Sequence, residues 1–145
     1  MPAQTSVPTA ASIPPAVDKA ARAFTLAYVQ HDARNGGDSS YADAGTRAAR
    51  FAAGELVDVL AQQRPGQEAP WAALRSEQAR QTAMVEAVVV PDGAPGPTES
   101  SAIVRVGYVL TTKPASGPSR QSTEQLLLRL GLTSGGWRVI ALPWV

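Results

Sequence analysis

The sequence contains no cysteine. That absence excludes disulfides, thiolate nucleophiles and cysteine-ligated zinc, but it fixes no compartment, because an exported domain can fold without disulfides. Histidine is nearly as scarce, and His31 stands alone. A single imidazole with no second nitrogen or sulfur ligand fails as a typical metal site, so neither metal nor cofactor is expected. No apolar run approaches the roughly 20 residues that span a bilayer. The N-terminus lacks the charged segment and apolar stretch of a signal peptide. An excess of either charge is also missing: 13 basic residues face 12 acidic ones, for a formal net charge of +1. Such a balance provides no field to draw in nucleic acid or an anionic membrane surface. Lysine is confined to Lys19 and Lys113, and with so much alanine and glycine the arginine bias fits high-GC coding.

What is present suits one globular domain. The chain has 145 residues, 44% of them hydrophobic. A chain of that size buries most of its apolar surface without staples. Residues 1–14, rich in proline, alanine, serine and threonine, read as a linker or stalk of the kind that joins a membrane anchor to a folded domain. Residues 15–145 read as the domain.

A first helix is expected from Pro15, a residue suited to an opening turn, with Asp18 favourable at its positive end. Val17, Ala20, Ala21, Phe24, Ala27, Tyr28 and His31 follow helical spacing, and Asn35-Gly36-Gly37 ends the run. Ser40, with Asp43 in capping-box position, opens a second helical run to Gln63 that splits near Arg50 and Phe51. Leu56, Val57, Val59 and Leu60 give its later part a core-facing side. Pro65-Gly66 stops it, and Pro70 to Arg75 adds one more turn.

Beyond that point the period becomes two. Strands are expected at Gln81–Val90, Ser101–Thr112, Ser122–Leu132 and Trp137–Leu142. Leu126, Leu128, Leu130 and Leu132 share one face of the third, opposite Gln125 and Arg129. The implied fold is α+β, with about three N-terminal helices packed on a four-stranded antiparallel meander.

Helices followed by a sheet that wraps the first of them resemble the cone-like, cystatin-like domain of the nuclear transport factor two superfamily. Three segments narrow the resemblance to TcpC-type and VirB-type scaffold subunits of conjugative (type IV) secretion systems: the opening helix AVDKAARAFTLAYVQHD, the strand LLLRLGL, and the ending GGWRVIALPWV. The resemblance implies a non-enzymatic assembly domain. It would sit at the extracytoplasmic face of a membrane, tethered by a helix outside this chain, and contact other subunits or itself. Proteins associated with actinobacterial Mce lipid-import systems have a similar outline.

Candidate chemistry is sparse. His31 beside Asp32, with Asp38 and Asp43 following, could form a general-base pair. The plainer reading places an imidazolium at a helix C-terminus, where positive charge is favourable. Steroid isomerases of the same superfamily project a tyrosine and carboxylates into their cone. Tyr28 and Asp58 are the corresponding candidates for a cavity, although Tyr28 fits the apolar stripe and Asp58 can face solvent. Ser39 and Ser40 read as caps, and the paired glycines as turns. Arg47, Arg50, Arg75 and Arg80 could make a partner patch, but Asp43 four residues before Arg47 suggests ordinary helix-surface pairing. Among Trp71, Trp137 and Trp144, the last is the candidate interface residue, because an aromatic beside a chain end has few intramolecular partners. No catalytic residue is assigned.

Overall fold

The computed structural model describes residues 12–143, so most of the expected stalk and Trp144 lie outside the described residues. Helix α1 spans Pro15–Val29, with proline in its opening turn and Asp18 paired to Arg22 at 2.8 Å. Val17, Ala21, Phe24 and Thr25 form its buried stripe. Thr25 satisfies its buried hydroxyl by donating to the Ala21 carbonyl at 2.8 Å.

α1 ends two residues before His31, earlier than the spacing predicts. Tertiary hydrogen bonds replace the next helical turn. The Arg47 guanidinium donates to the Gln30 carbonyl at 2.7 Å. The Gln81 amide donates to the His31 carbonyl at 2.7 Å, and the Ala33 amide to the Ala79 carbonyl at 2.8 Å. Residues 31–33 therefore run extended beside the first strand, with a bridge between Asp32 and Arg80.

The second helical run divides as expected, into α2 (Ala42–Ala48), a tight turn at Ala49–Phe51, and α3 (Glu55–Ala61). Asp43 reaches back to the Ser39 amide at 2.7 Å and to the Ser40 hydroxyl at 3.1 Å, so it braces the helix start. It is not the partner of Arg47, whose guanidinium pairs with Asp38 at 2.6 Å. Gly45 permits α2 to rest on α3, since a Cβ there would overlap the Leu60 carbonyl. The anticipated single turn near Pro70 is a full helix, α4 (Glu68–Glu77), closed by Gln78 in the left-handed region (φ 48°).

Strands β1 (Arg80–Val89), β2 (Ser101–Lys113), β3 (Arg120–Thr133) and β4 (Gly136–Ala141) form one antiparallel sheet in sequential order, the expected meander. The fold is α+β, with four helices preceding the sheet. α1 packs against every strand. Ala102, Val104 and Val106 of β2 face Leu130, Leu128 and Leu126 of β3, and together they bury the inner face. Phe24, Leu128, Leu130, Val104, Val106 and Val139 are fully buried, joined by Leu60, and Tyr28 packs partly buried on the same core. Leu132 departs from the expected stripe at 51% exposure. It shares the parity of Leu130, but it pairs with Trp137 near the hairpin end. α4 sits apart, packing Leu74 and Trp71 on Ala33 and Ala79.

Candidate functional site

Beyond Val106 the inner sheet face continues past the apolar core. Gln81 pairs with Thr112, Ala83 with Leu110, and Val85 with Tyr108. Tyr108 in turn pairs with Glu124 on β3. The helical layer ends above this stretch and supplies Tyr28, His31 and Tyr41. The result is a niche of about 240 Å³, open at one side and lined by these three residues with Gln81, Tyr108, Leu110 and Glu124.

Stacking fixes two of the aromatic rings. Phe24 covers one side of Tyr28 with centroids 5.4 Å apart, and His31 stacks on Tyr41 at 3.9 Å. None of the three tyrosine hydroxyls makes a hydrogen bond among the described residues, and none is a buried polar atom without a partner, so each keeps some exposure to solvent. Burial pushes the phenol of Tyr41 up. Burial, with Glu124 next, pushes that of Tyr108 up to about 12, so both are neutral donors at ordinary pH.

His31 is only 4% exposed. Its Nδ1 lies 2.8 Å from Gln81 Oε1, and Gln81 Nε2 donates to Thr112 Oγ1 at 3.2 Å. With the amide nitrogen so engaged, Oε1 accepts from Nδ1–H and the neutral ring keeps Nε2 as its acceptor. Burial lowers the histidine's affinity for a proton, against the raising effects of Gln81 and Asp38. The imidazolium expected at a helix terminus is therefore corrected to a neutral, buried ring, because desolvation outweighs the helix-end field. Asp32 is not its base partner. Its carboxylate accepts from Arg34 at 2.8 Å, and these hydrogen bonds hold it down at about 2.

The candidates from sequence separate. Tyr28 lines the niche, whereas Asp58 is exposed on α3 and contributes nothing to it. The carboxylate in the niche is Glu124. Of the four arginines considered for a patch, Arg47 and Arg80 line one pocket with Asp32 and Asp38, Arg47 being tied to Asp38 and the Gln30 carbonyl, whereas Arg75 donates to the Ala33 carbonyl at 3.2 Å and Arg50 is exposed on the turn after α2. Trp71 and Trp137 take rim positions on the two apolar clusters. Among the described residues, no group of acidic or histidine side chains is arranged to hold a metal.

Glu124 and Tyr108 carried a signal in the sequence. Extending the Leu126, Leu128, Leu130 parity back by two reaches Glu124, and Tyr108 continues the parity of Val104 and Val106. Polar residues at core-face parity mark where a core face runs out into a cavity.

No model of a known protein family matches this chain, and no curated protein matches it in sequence. Two solved structures are similar in outline. The intermembrane space region of the chloroplast protein ARC6 shares 8% identity at a TM-score of 0.39, covering 68% of this chain and 76% of that one. A putative calcium/calmodulin dependent protein kinase II association domain from Xanthomonas campestris shares 11% identity at a TM-score of 0.38, covering 97% of this chain and 100% of that one. Likeness at this level is that of a generic α+β fold and carries no functional argument.

Proposed function

We propose that the chain is a non-enzymatic assembly domain of a conjugative (type IV) secretion subunit, tethered at the extracytoplasmic face of a membrane and contacting other subunits of the complex. The opening helix, the LLLRLGL strand and the GGWRVIALPWV ending support the secretion reading, and assignment of the α+β fold to the nuclear transport factor two-like superfamily is part of the same proposal. One structural observation carries the assembly part. On the outer sheet face the β1–β2 loop, at Pro95, Gly96 and Thr98, lies by Ile103, Arg129 and Ile140, and the face displays Met84 at 65% and Ile140 at 37% exposure. Arg105 and Arg129 share this face, and no carboxylate pairs with either among the described ion pairs. Ile140 lies by Arg129, an apolar group beside an arginine of the kind protein-binding surfaces use, and Met84 stands toward the other end of the sheet, across from Val109. The interior favours this reading over catalysis, because the core beneath α1 is filled with apolar side chains and the one histidine is held by Gln81.

The test is cross-linking of the membrane-tethered protein within its complex, with and without Met84→Glu. Loss of subunit cross-links with the fold retained supports the assembly face. Unchanged cross-links, or turnover of a steroid-like substrate that vanishes in Tyr28→Phe, would remove this reading in favour of an enzyme.

A further inference from the structure

The niche beneath α1 has a chemistry that the assembly reading does not use. Three electron-rich phenol rings line it, Tyr28, Tyr41 and Tyr108, together with one carboxylate, Glu124. Glu124 is the only formally charged group in the lining, because burial keeps His31 neutral. No lysine or arginine lines it. Opposing charges lie outside the lining: Arg47 is paired with Asp38 at 2.6 Å, Arg64 acts on Tyr41 from beyond it, and Arg80 lines a neighbouring pocket that shares His31 and Gln81. An anion would meet Glu124 with no cation to receive it. A cation would meet a carboxylate, three electron-rich phenol side chains and the unengaged oxygens of their hydroxyls.

We propose that this niche binds the head of an organic cation, a methylated or quaternary ammonium group, caged by Tyr28, Tyr41 and Tyr108 and counter-charged by Glu124. Aromatic rings attract such cations through their quadrupoles, and more strongly where water is excluded. The cage is preorganised. Phe24 backs Tyr28, His31 backs Tyr41, and Tyr108 is fixed in the sheet ladder between Val85 and Glu124. Little side-chain ordering is then left for the ligand to impose. The ammonium group could belong to a free small molecule or to a methylated lysine side chain of a partner, and both present the same chemistry. The proposal stands apart from the assembly face, which lies on the other side of the sheet.

The experiment is NMR titration of the full chain, following the ring resonances of the three tyrosines and His31. Choline is the small-molecule probe, and an N-acetylated trimethyllysine amide is the side-chain probe. The neutral isostere of choline, with carbon in place of nitrogen, is the control. Choline or the trimethyllysine probe should shift these resonances together, and the tighter of the two identifies the source. The neutral isostere should bind about tenfold more weakly, and Glu124→Gln, an exposed substitution with no cost to the core, should weaken the cation by a similar factor. Arg64→Gln, which removes the opposing charge near Tyr41, should strengthen it. Equal binding of the neutral isostere would overturn the proposal. So would an unchanged affinity in Glu124→Gln, or the absence of shifts with either cation at tens of millimolar.

Discussion

At the scale of the residue, His31 is the most informative side chain. It is buried, stacked on Tyr41 and hydrogen-bonded through Nδ1 to Gln81. Burial lowers its proton affinity below the ordinary value of 6.5. The folded state therefore binds fewer protons at this site than the unfolded chain does. The stability that this contributes is present above pH 6.5 and is lost as pH falls below it toward the folded value. The carboxylates that are held down, Asp32, Asp43 and Glu77, act at lower pH, in the range where free carboxyls titrate. Between pH 6.5 and about 5, the slope of unfolding free energy with pH should come chiefly from His31. Chemical denaturation across that window should show stability falling with acidification, and His31→Gln should flatten the slope. A slope that persists in the variant would move the effect to another group.

At the scale of the element, close backbone approach sets the helical layer. Gly45 faces the Leu60 carbonyl with no room for a methyl group, and the contact is to backbone, which cannot swing aside. Gly45→Ala should therefore destabilise the domain by about 1–3 kcal/mol, measured by urea denaturation, despite alanine's better helix propensity. A stabilised variant would mean that α2 and α3 separate freely. Spacing along the run from Ser40 to Gln63 does not single out Gly45, because close approach is a tertiary property that one chain's periodicity cannot reveal. The strands were legible to within two residues at each end, since period-two alternation is local. The end of α1 was not: Gln30, His31 and Ala33 suit a helix until Arg47, Gln81 and Ala79 capture their backbone. In the candidate site Tyr28 was legible as a helix residue facing inward. For Asp58 the sequence left a cavity and a solvent position open, because a seven-residue helix offers too few turns to separate the two sides, and the structure gives it the solvent position.

At the scale of the whole molecule, a balanced charge and a filled core describe a domain without long-range attraction for its partners. Contacts through the outer sheet face would then be short-ranged, and tethering would raise their effective concentration. Sedimentation of the isolated chain should show a monomer or a weak, concentration-dependent oligomer. A stable dimer burying well over the roughly 1,600 Å² of a standard interface would contradict a module that assembles only in company.

The two ends of the meander have a further consequence. On the β1 edge, the amides of Gln81 and Ala83 are taken by the His31 carbonyl and by Gln30 Oε1, and an irregularity interrupts the ladder between Val85 and Ala87. On the β4 edge, the Val139 carbonyl accepts from the Ala53 amide, with Ala52 bridging alongside. Open sheet edges are templates for strand addition, the first step of domain swapping and fibril growth. Here the segments after α1 and before α3 occupy part of each rim. A strand arriving from a neighbouring molecule at those positions meets hydrogen bonds already spoken for, which narrows the stretch of edge open to templated aggregation.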